Sequence, residues 1–120
     1  MIIGIGTDLI EIDRVIKACN NGAFLKKYYT LKEIELIQAD KRKSADNFTV
    51  KEAVAKMFGT GFYGIKPIEI EVLRDQLGKP YVNLYGKAKE KSLESGIDKI
   101  HVSISNTKLY AIAYVIGEGI

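Results

Sequence analysis

Only one cysteine, Cys19, occurs in the chain, so no internal disulfide can form. Cys19 has no second Cys and no His near it in sequence. It reads as a small apolar residue on a helix, and a reducing compartment, the cytoplasm, is expected. No apolar run approaches the roughly 18 residues of a membrane span. The N-terminus has no basic region ahead of its apolar run, so a signal-peptide layout is missing. No G-x-G-x-x-G run opens a helix, which removes the dinucleotide fingerprint. Internal repeats and low-complexity tracts are absent as well. No strand alternates aromatic and basic residues, which argues against a nucleic-acid reader. The excess of one charge sign is small too: the formal net charge is +3. That allows an acidic partner or a phosphorylated ligand without demanding either.

What is present fits one folded domain over residues 1–120. Hydrophobic residues make up 47% and charged residues 28%, a globular balance rather than a disordered one. A chain of this size builds a real core, yet gains from burying more surface in an oligomer.

The chain is organised around Phe48-Thr49-Val50-Lys51-Glu52-Ala53-Val54-Ala55-Lys56-Met57-Phe58-Gly59. This reads as one helix, with Ser44 or Asp46 as its N-cap and Gly59 and Gly61 at its left-handed end. Phe48, Val50 or Val54, Met57 and Phe58 recur near helical spacing and make a core face. Lys51, Glu52 and Lys56 lie among small and apolar residues. Glu52 and Lys56 at i, i+4 make an ordinary surface pair in one reading. In the other, a carboxylate and two ammonium groups sit on a rigid element facing an anion and its metal.

Met1–Ile12 begins as a strand in which Gly4 and Gly6 bare one face, where another backbone or a ligand can come close. Asp8 follows on that face. A carboxylate in an apolar strand is costly to bury unless it is hydrogen-bonded, paired or metal-bound. Glu11 to Asn20 is helical, and Asn20-Asn21-Gly22 turns the chain. Phe24 to Tyr29 makes one or two helical turns. Thr30 and Glu33 form a capping box for a helix with Leu31, Ile34 and Ile37 on its apolar face, ending near Ala39. Asp40–Ser44 is the most basic loop.

Beyond Gly64 the period changes to two. Ile68, Ile70 and Val72 alternate with Glu69 and Glu71, giving a strand with one partly solvated face. Gly78 is the left-handed residue of a hairpin turn, and Tyr81–Tyr85 returns. Gly86 to Ser95 is a polar helix stopped by Gly96. Ile100–Ser105 is a strand placing His101, Ser103 and Ser105 on one face, and Leu109 to Ile116 returns as a buried strand. The expected order is strand, helices, three strands, helix, two strands: an α+β fold with a mostly antiparallel sheet packed with helices.

Four blocks in register resemble the holo-[acyl-carrier-protein] synthases, the small bacterial class of 4′-phosphopantetheinyl transferases. They are Ile3–Asp8, the Phe48–Lys56 helix with Phe58–Gly61, Leu77–Pro80, and His101–Ser105, and they span nearly the whole chain. The resemblance implies the fold of those transferases. It also implies transfer of phosphopantetheine from coenzyme A to a serine of apo acyl carrier protein, releasing adenosine 3′,5′-bisphosphate. A Mg²⁺ requirement and a homotrimer with sites at subunit interfaces are part of the same implication.

Residue by residue, Asp8 and Glu52 match the metal-binding carboxylates, and Lys56 the lysine near the coenzyme A phosphates. With these three taken as catalytic, Lys51, Lys56, Gly78, Lys79, Pro80, His101 and Ser103 are expected to contact the nucleotide. Arg14 matches a basic position that docks the carrier protein. Asn47 and Asn106 depart from the pattern, standing where many relatives carry a basic residue and a second histidine. The chemistry agrees, since Mg²⁺ takes hard oxygen ligands from one or two carboxylates together with phosphates and waters. Two other readings remain. A noncatalytic coenzyme A or nucleotide binder would not need Asp8 and Glu52 together. A basic module for acidic proteins, using Arg14, Lys26, Lys27, Lys41, Arg42 and Lys43, would not explain two carboxylates in apolar surroundings. No membrane association is expected.

Overall fold

The computed structural model describes all residues from Met1 to Ile120. A long strand, β1 (Ile2–Glu11), leads into four helices: α1 (Ile12–Ala18), α2 (Gly22–Tyr28), α3 (Leu31–Ala39) and α4 (Lys43–Met57). A hairpin of β2 (Ile70–Arg74) and β3 (Pro80–Leu84) follows, then α5 (Gly86–Glu94) and a second hairpin of β4 (Lys99–Asn106) and β5 (Tyr110–Glu118). The strands form two antiparallel sheets, one ordered β1-β5-β4 and the other β2-β3. The expected α+β class holds. Two strands rather than the expected three separate α4 from α5, and the first begins at Ile70 because Pro67–Glu69 closes into a 3-10 turn.

Helix α4 is buried around most of its circumference. Val50, Ala53, Val54 and Met57 enter the main core with Ile70, Val72, Ala113 and Val115. A second cluster packs Ile12, Val15, Ala45 and Ala111. Such a helix has no polar side to read from its pattern, since both faces meet other elements. It presses on β1 at the two glycines. A Cβ on Gly6 would overlap the Ala53 carbonyl oxygen and lie 2.8 Å from Met57 N, and one on Gly4 would overlap the Met57 carbonyl oxygen. The bared face of β1 therefore receives the α4 backbone, one of the two occupants its glycines allowed.

Local expectations are met unevenly. Gly59, at φ +82°, ends α4, and Gly78 and Gly96 also adopt positive φ. Neither Ser44 nor Asp46 caps α4. Ser44 Oγ instead donates to the Lys41 carbonyl at 2.7 Å, and Asp46 accepts from Asn106 Nδ2 at 2.9 Å. The Thr30–Glu33 capping box is present. Leu31, however, is 82% exposed while Glu33 is fully buried, so the buried face of α3 is partly polar. Glu71 is buried too, not on a solvated face; it accepts from Thr30, Asn83 and Tyr85. Strand β5 is buried on one face only. Ala111, Ala113 and Val115 point at α4, while Tyr110, Ile112 and Tyr114 point outward beside Ile3, Ile5 and Leu9 of β1, all exposed.

Candidate active site

Three side chains of α4 escape full burial along its length between Ala45 and Met57: Phe48, Glu52 and Lys56. They recur every fourth residue and so share one stripe, about 12 Å long at 1.5 Å per residue. Asp8 meets this stripe from β1, on the same strand face as Gly4 and Gly6. Lys56 Nζ lies 3.1 Å from Asp8 Oδ1, and the Thr49 hydroxyl lies 2.9 Å from Asp8 Oδ2. Lys56 thus pairs across to the strand, not along the helix to Glu52. Glu52 has no cation of its own. Partial burial pushes its carboxyl up from the usual range, the Asp8 carboxylate adds to the rise, and Lys56 opposes it. Asp8, Glu52 and Lys56 are therefore brought together, the grouping that the resemblance implies.

The donor set suits a hard divalent cation. Nowhere does the chain gather three or more His, Cys, Asp or Glu side chains able to cage a metal alone. Two close carboxylates, one held in place by a neighbouring hydroxyl and one lacking a counter-charge, instead match an ion that keeps waters and takes phosphate oxygens. Grooves open on either side. One of about 300 Å³ is lined by Ile5, Gly6, Thr7, Lys56 and Tyr114. The other, about 410 Å³ and mostly apolar, includes Arg14, Phe24, Tyr28 and Phe48. Arg14 is exposed on α1 at that second groove.

Lys51 does not belong to this site. It points into the opposite side of α4, 1% exposed, with Nζ 2.8 Å from Glu33 Oε1 and 3.0 Å from the Pro67 carbonyl oxygen. It also donates to the Ile70 carbonyl. Adjacent residues on a helix point about 100° apart, so Lys51 and Glu52 cannot face one ligand together. Burial pushes the Lys51 ammonium down and the Glu33 carboxyl up, and their mutual attraction opposes both shifts. Asn47 completes the cluster, donating to Glu33 Oε2 and the Val72 carbonyl and accepting from Arg74. Asn47 is thus committed to buried structure. Asn106 is engaged with Asp46, joining the β4 end to the start of α4.

The remaining expected contacts lie apart from Asp8 within one chain. Gly78, Lys79 and Pro80 sit at the tip of the β2–β3 hairpin, where Asp75 Oδ1 accepts from Leu77 N and Lys79 N, both at 2.9 Å. His101 and Ser103 lie on the outward face of β4, as their spacing predicts, and His101 Nε2 is 2.9 Å from Glu118 Oε1. Strand β5 separates them from β1, a span of about 10 Å at the usual strand spacing, and Asp8 faces the other way. Thr49 is the functional candidate that sequence reading missed. Its position amid the apolar residues of α4 gives no sign of its partner on β1.

Two carboxylates and a lysine thus meet on a helix–strand seam, with a groove of about 300 Å³ beside Lys56. The family model of the 4′-phosphopantetheinyl transferase superfamily matches residues 4–115, and the chain belongs to that superfamily. Within it, a holo-[acyl-carrier-protein] synthase of Lachnoclostridium phytofermentans is 64% identical over 118 residues, covering 98% of this chain and 97% of the relative. The crystal structure of holo-[acyl-carrier-protein] synthase from Neisseria meningitidis superposes with a TM-score of 0.88 at 34% identity, covering 98% of this chain and 99% of the other. The Helicobacter pylori synthase, solved in complex with coenzyme A, gives 0.83 at 28% identity, covering 95% and 99%.

Proposed function

We propose that residues 1–120 form one transferase domain that moves 4′-phosphopantetheine from coenzyme A to a serine of apo acyl carrier protein, supplying carriers for fatty acid synthesis. The serine hydroxyl gives up its proton to a base as its oxygen forms a new bond to the pantetheine-side phosphorus. The bridging P–O bond breaks, and adenosine 3′,5′-bisphosphate leaves. The observation that carries this reading is the seam where Asp8 of β1 meets the partly exposed Glu52 and Lys56 of an otherwise buried α4. A noncatalytic binder has no use for two adjacent carboxylates, which repel the ligand's phosphates.

In this reading Asp8 and Glu52 hold Mg²⁺. When bound, the ion supplies positive charge that neutralises the diphosphate and polarises phosphorus. Lys56, on a flexible and half-exposed stem, reaches the 5′-phosphate of the leaving nucleotide. Rigid placement of these groups does most of what such a transfer needs. Lys79, the Gly78–Pro80 turn, His101 and Ser103 serve the nucleotide end. A chromatographic assay tests the activity: adenosine 3′,5′-bisphosphate should appear from coenzyme A only when apo carrier protein is present. Release without carrier, or none with it, contradicts the assignment.

Carrier docking is assigned to the groove at Arg14, at the Phe48 end of the stripe and away from Lys56. Acyl carrier proteins are acidic, and exposed charges steer such encounters until salt screens them over about 8–10 Å. Arg14→Glu should raise KM for carrier protein several-fold or more, with coenzyme A KM nearly unchanged. An unaltered carrier KM removes Arg14 from the interface.

A homotrimer with sites between subunits completes the reading. The outward face of β1 and β5 supports an assembly, since Ile3, Ile5, Leu9, Tyr110, Ile112 and Tyr114 lie exposed together. The separation of His101 from Asp8 in one copy points the same way. Light scattering at micromolar concentration should give three times the chain mass, and a fully active monomer overturns the assignment. A cytoplasmic location fits the single cysteine, and no helix is long and apolar enough to cross a membrane.

A further inference from the structure

We propose that Thr49 is a positioning residue for the metal site, fixing the Asp8 carboxylate so that Oδ1 is presented to the cation; this rests on the assignment of Asp8 and Glu52 as metal ligands. Thr49 is fully buried on α4, one turn before Ala53, whose carbonyl lies against Gly6. Its Oγ1 is 2.9 Å from Asp8 Oδ2 and 3.0 Å from the Asp8 main-chain oxygen. A helical threonine ordinarily turns its hydroxyl back to a carbonyl of its own helix. This one reaches across to the neighbouring strand, where its single proton is shared between Asp8 Oδ2 and the Asp8 main-chain oxygen.

The two oxygens of Asp8 thereby acquire different partners. Oδ2 faces a buried, β-branched side chain with a restricted χ1, a contact that the packing of α4 on β1 does not let go. Oδ1 faces Lys56, whose side chain is 55% exposed and free to leave. A hydroxyl that donates to one carboxylate oxygen hinders rotation about Cβ–Cγ and keeps the other turned toward Lys56, at 3.1 Å. Hydrogen-bonded partners of this kind tune metal affinity by about 10–100-fold in other sites. Without the hydroxyl, Asp8 is free to rotate and to draw Lys56 closer, and both changes compete with the ion.

The test uses Thr49→Val, which keeps the shape and removes the donor, and Thr49→Ser, which keeps the donor. Mn²⁺ is titrated into each protein with coenzyme A present, and free Mn²⁺ is read from its electron paramagnetic resonance signal. Thr49→Val should weaken Mn²⁺ binding about tenfold, and Thr49→Ser should restore it to within a factor of about three. In an Asp8→Asn background the Thr49→Val change should add nothing further. Should Thr49→Val fail to fold, Thr49→Ala makes the same prediction at the cost of a small cavity. Wild-type Mn²⁺ affinity in the folded Val or Ala variant overturns the proposal. Failure of Asp8→Asn to weaken Mn²⁺ binding in the parent protein overturns the metal-site assignment itself, a separate outcome.

Discussion

Replacing either site carboxylate should disable the enzyme almost as completely as replacing both. Asp8→Asn and Glu52→Gln keep size and lose charge, and each is expected to lower kcat/KM by about 100-fold or more, roughly 3 kcal/mol of transition-state stabilisation. The double variant should be only slightly worse than the poorer single. Two groups acting through one ion behave as a unit, whereas independent groups multiply their losses. Excess Mg²⁺ should partly rescue the singles and hardly the double. A double defect equal to the product of the singles removes the shared ion.

The fold should survive these changes, and for Glu52 the sign can be worked out. Its carboxyl is raised by partial burial and by Asp8, so the charged form is disfavoured in the folded protein. The metal-free protein therefore loses stability as pH rises through the Glu52 titration, above the ordinary carboxylate range. At neutral pH, Glu52→Gln should leave the melting temperature of the metal-free protein unchanged or higher. A lower value shows that Glu52 is held by interactions other than a missing cation.

The second large effect falls on stability. Lys51→Met leaves Glu33 buried without its counter-ion, and removing one partner of a buried pair typically costs about 3–5 kcal/mol. For a chain of this length that lowers Tm by roughly 10 °C or more. Adding Glu33→Gln should recover part of the loss, because the stranded charge disappears while Asn47 keeps a neutral acceptor. In molecules that remain folded, KM for coenzyme A should not move. A stable Lys51→Met protein with a raised coenzyme A KM would return Lys51 to the nucleotide site.

The contrast between Lys51 and its neighbours marks what the sequence can and cannot convey. The elements were legible where one physical rule dominates. Two-residue alternation placed His101 and Ser103 on one face of β4, and glycine's tolerance of positive φ located the ends of α4 and α5 and the turn at Gly78. Asp8, Glu52 and Lys56 were legible because charge amid apolar residues needs a partner or a ligand. Their grouping, however, came from the resemblance, since no period links residues 8 and 52.

What was hidden depends on long-range packing. Glu33 satisfies its capping box and also receives Lys51 and Asn47, a double duty that local spacing does not encode. Helix α4 is enclosed on nearly all sides, so its hydrophobic period is weak and the orientation of Lys51 and Thr49 is not written in it. The outward face of β5 read as buried because its side chains are apolar. Within one chain they are exposed, which is the condition an assembly of copies would relieve.

The most direct measurement is the mass of the carrier protein. Apo acyl carrier protein incubated with this protein, coenzyme A and Mg²⁺ should gain one phosphopantetheine on a serine, as read by mass spectrometry. A chelator should stop the gain and added Mg²⁺ restore it, and Asp8→Asn should show almost none over the same interval. An unchanged carrier mass with coenzyme A and Mg²⁺ in excess, or a full gain in the presence of chelator, contradicts the account.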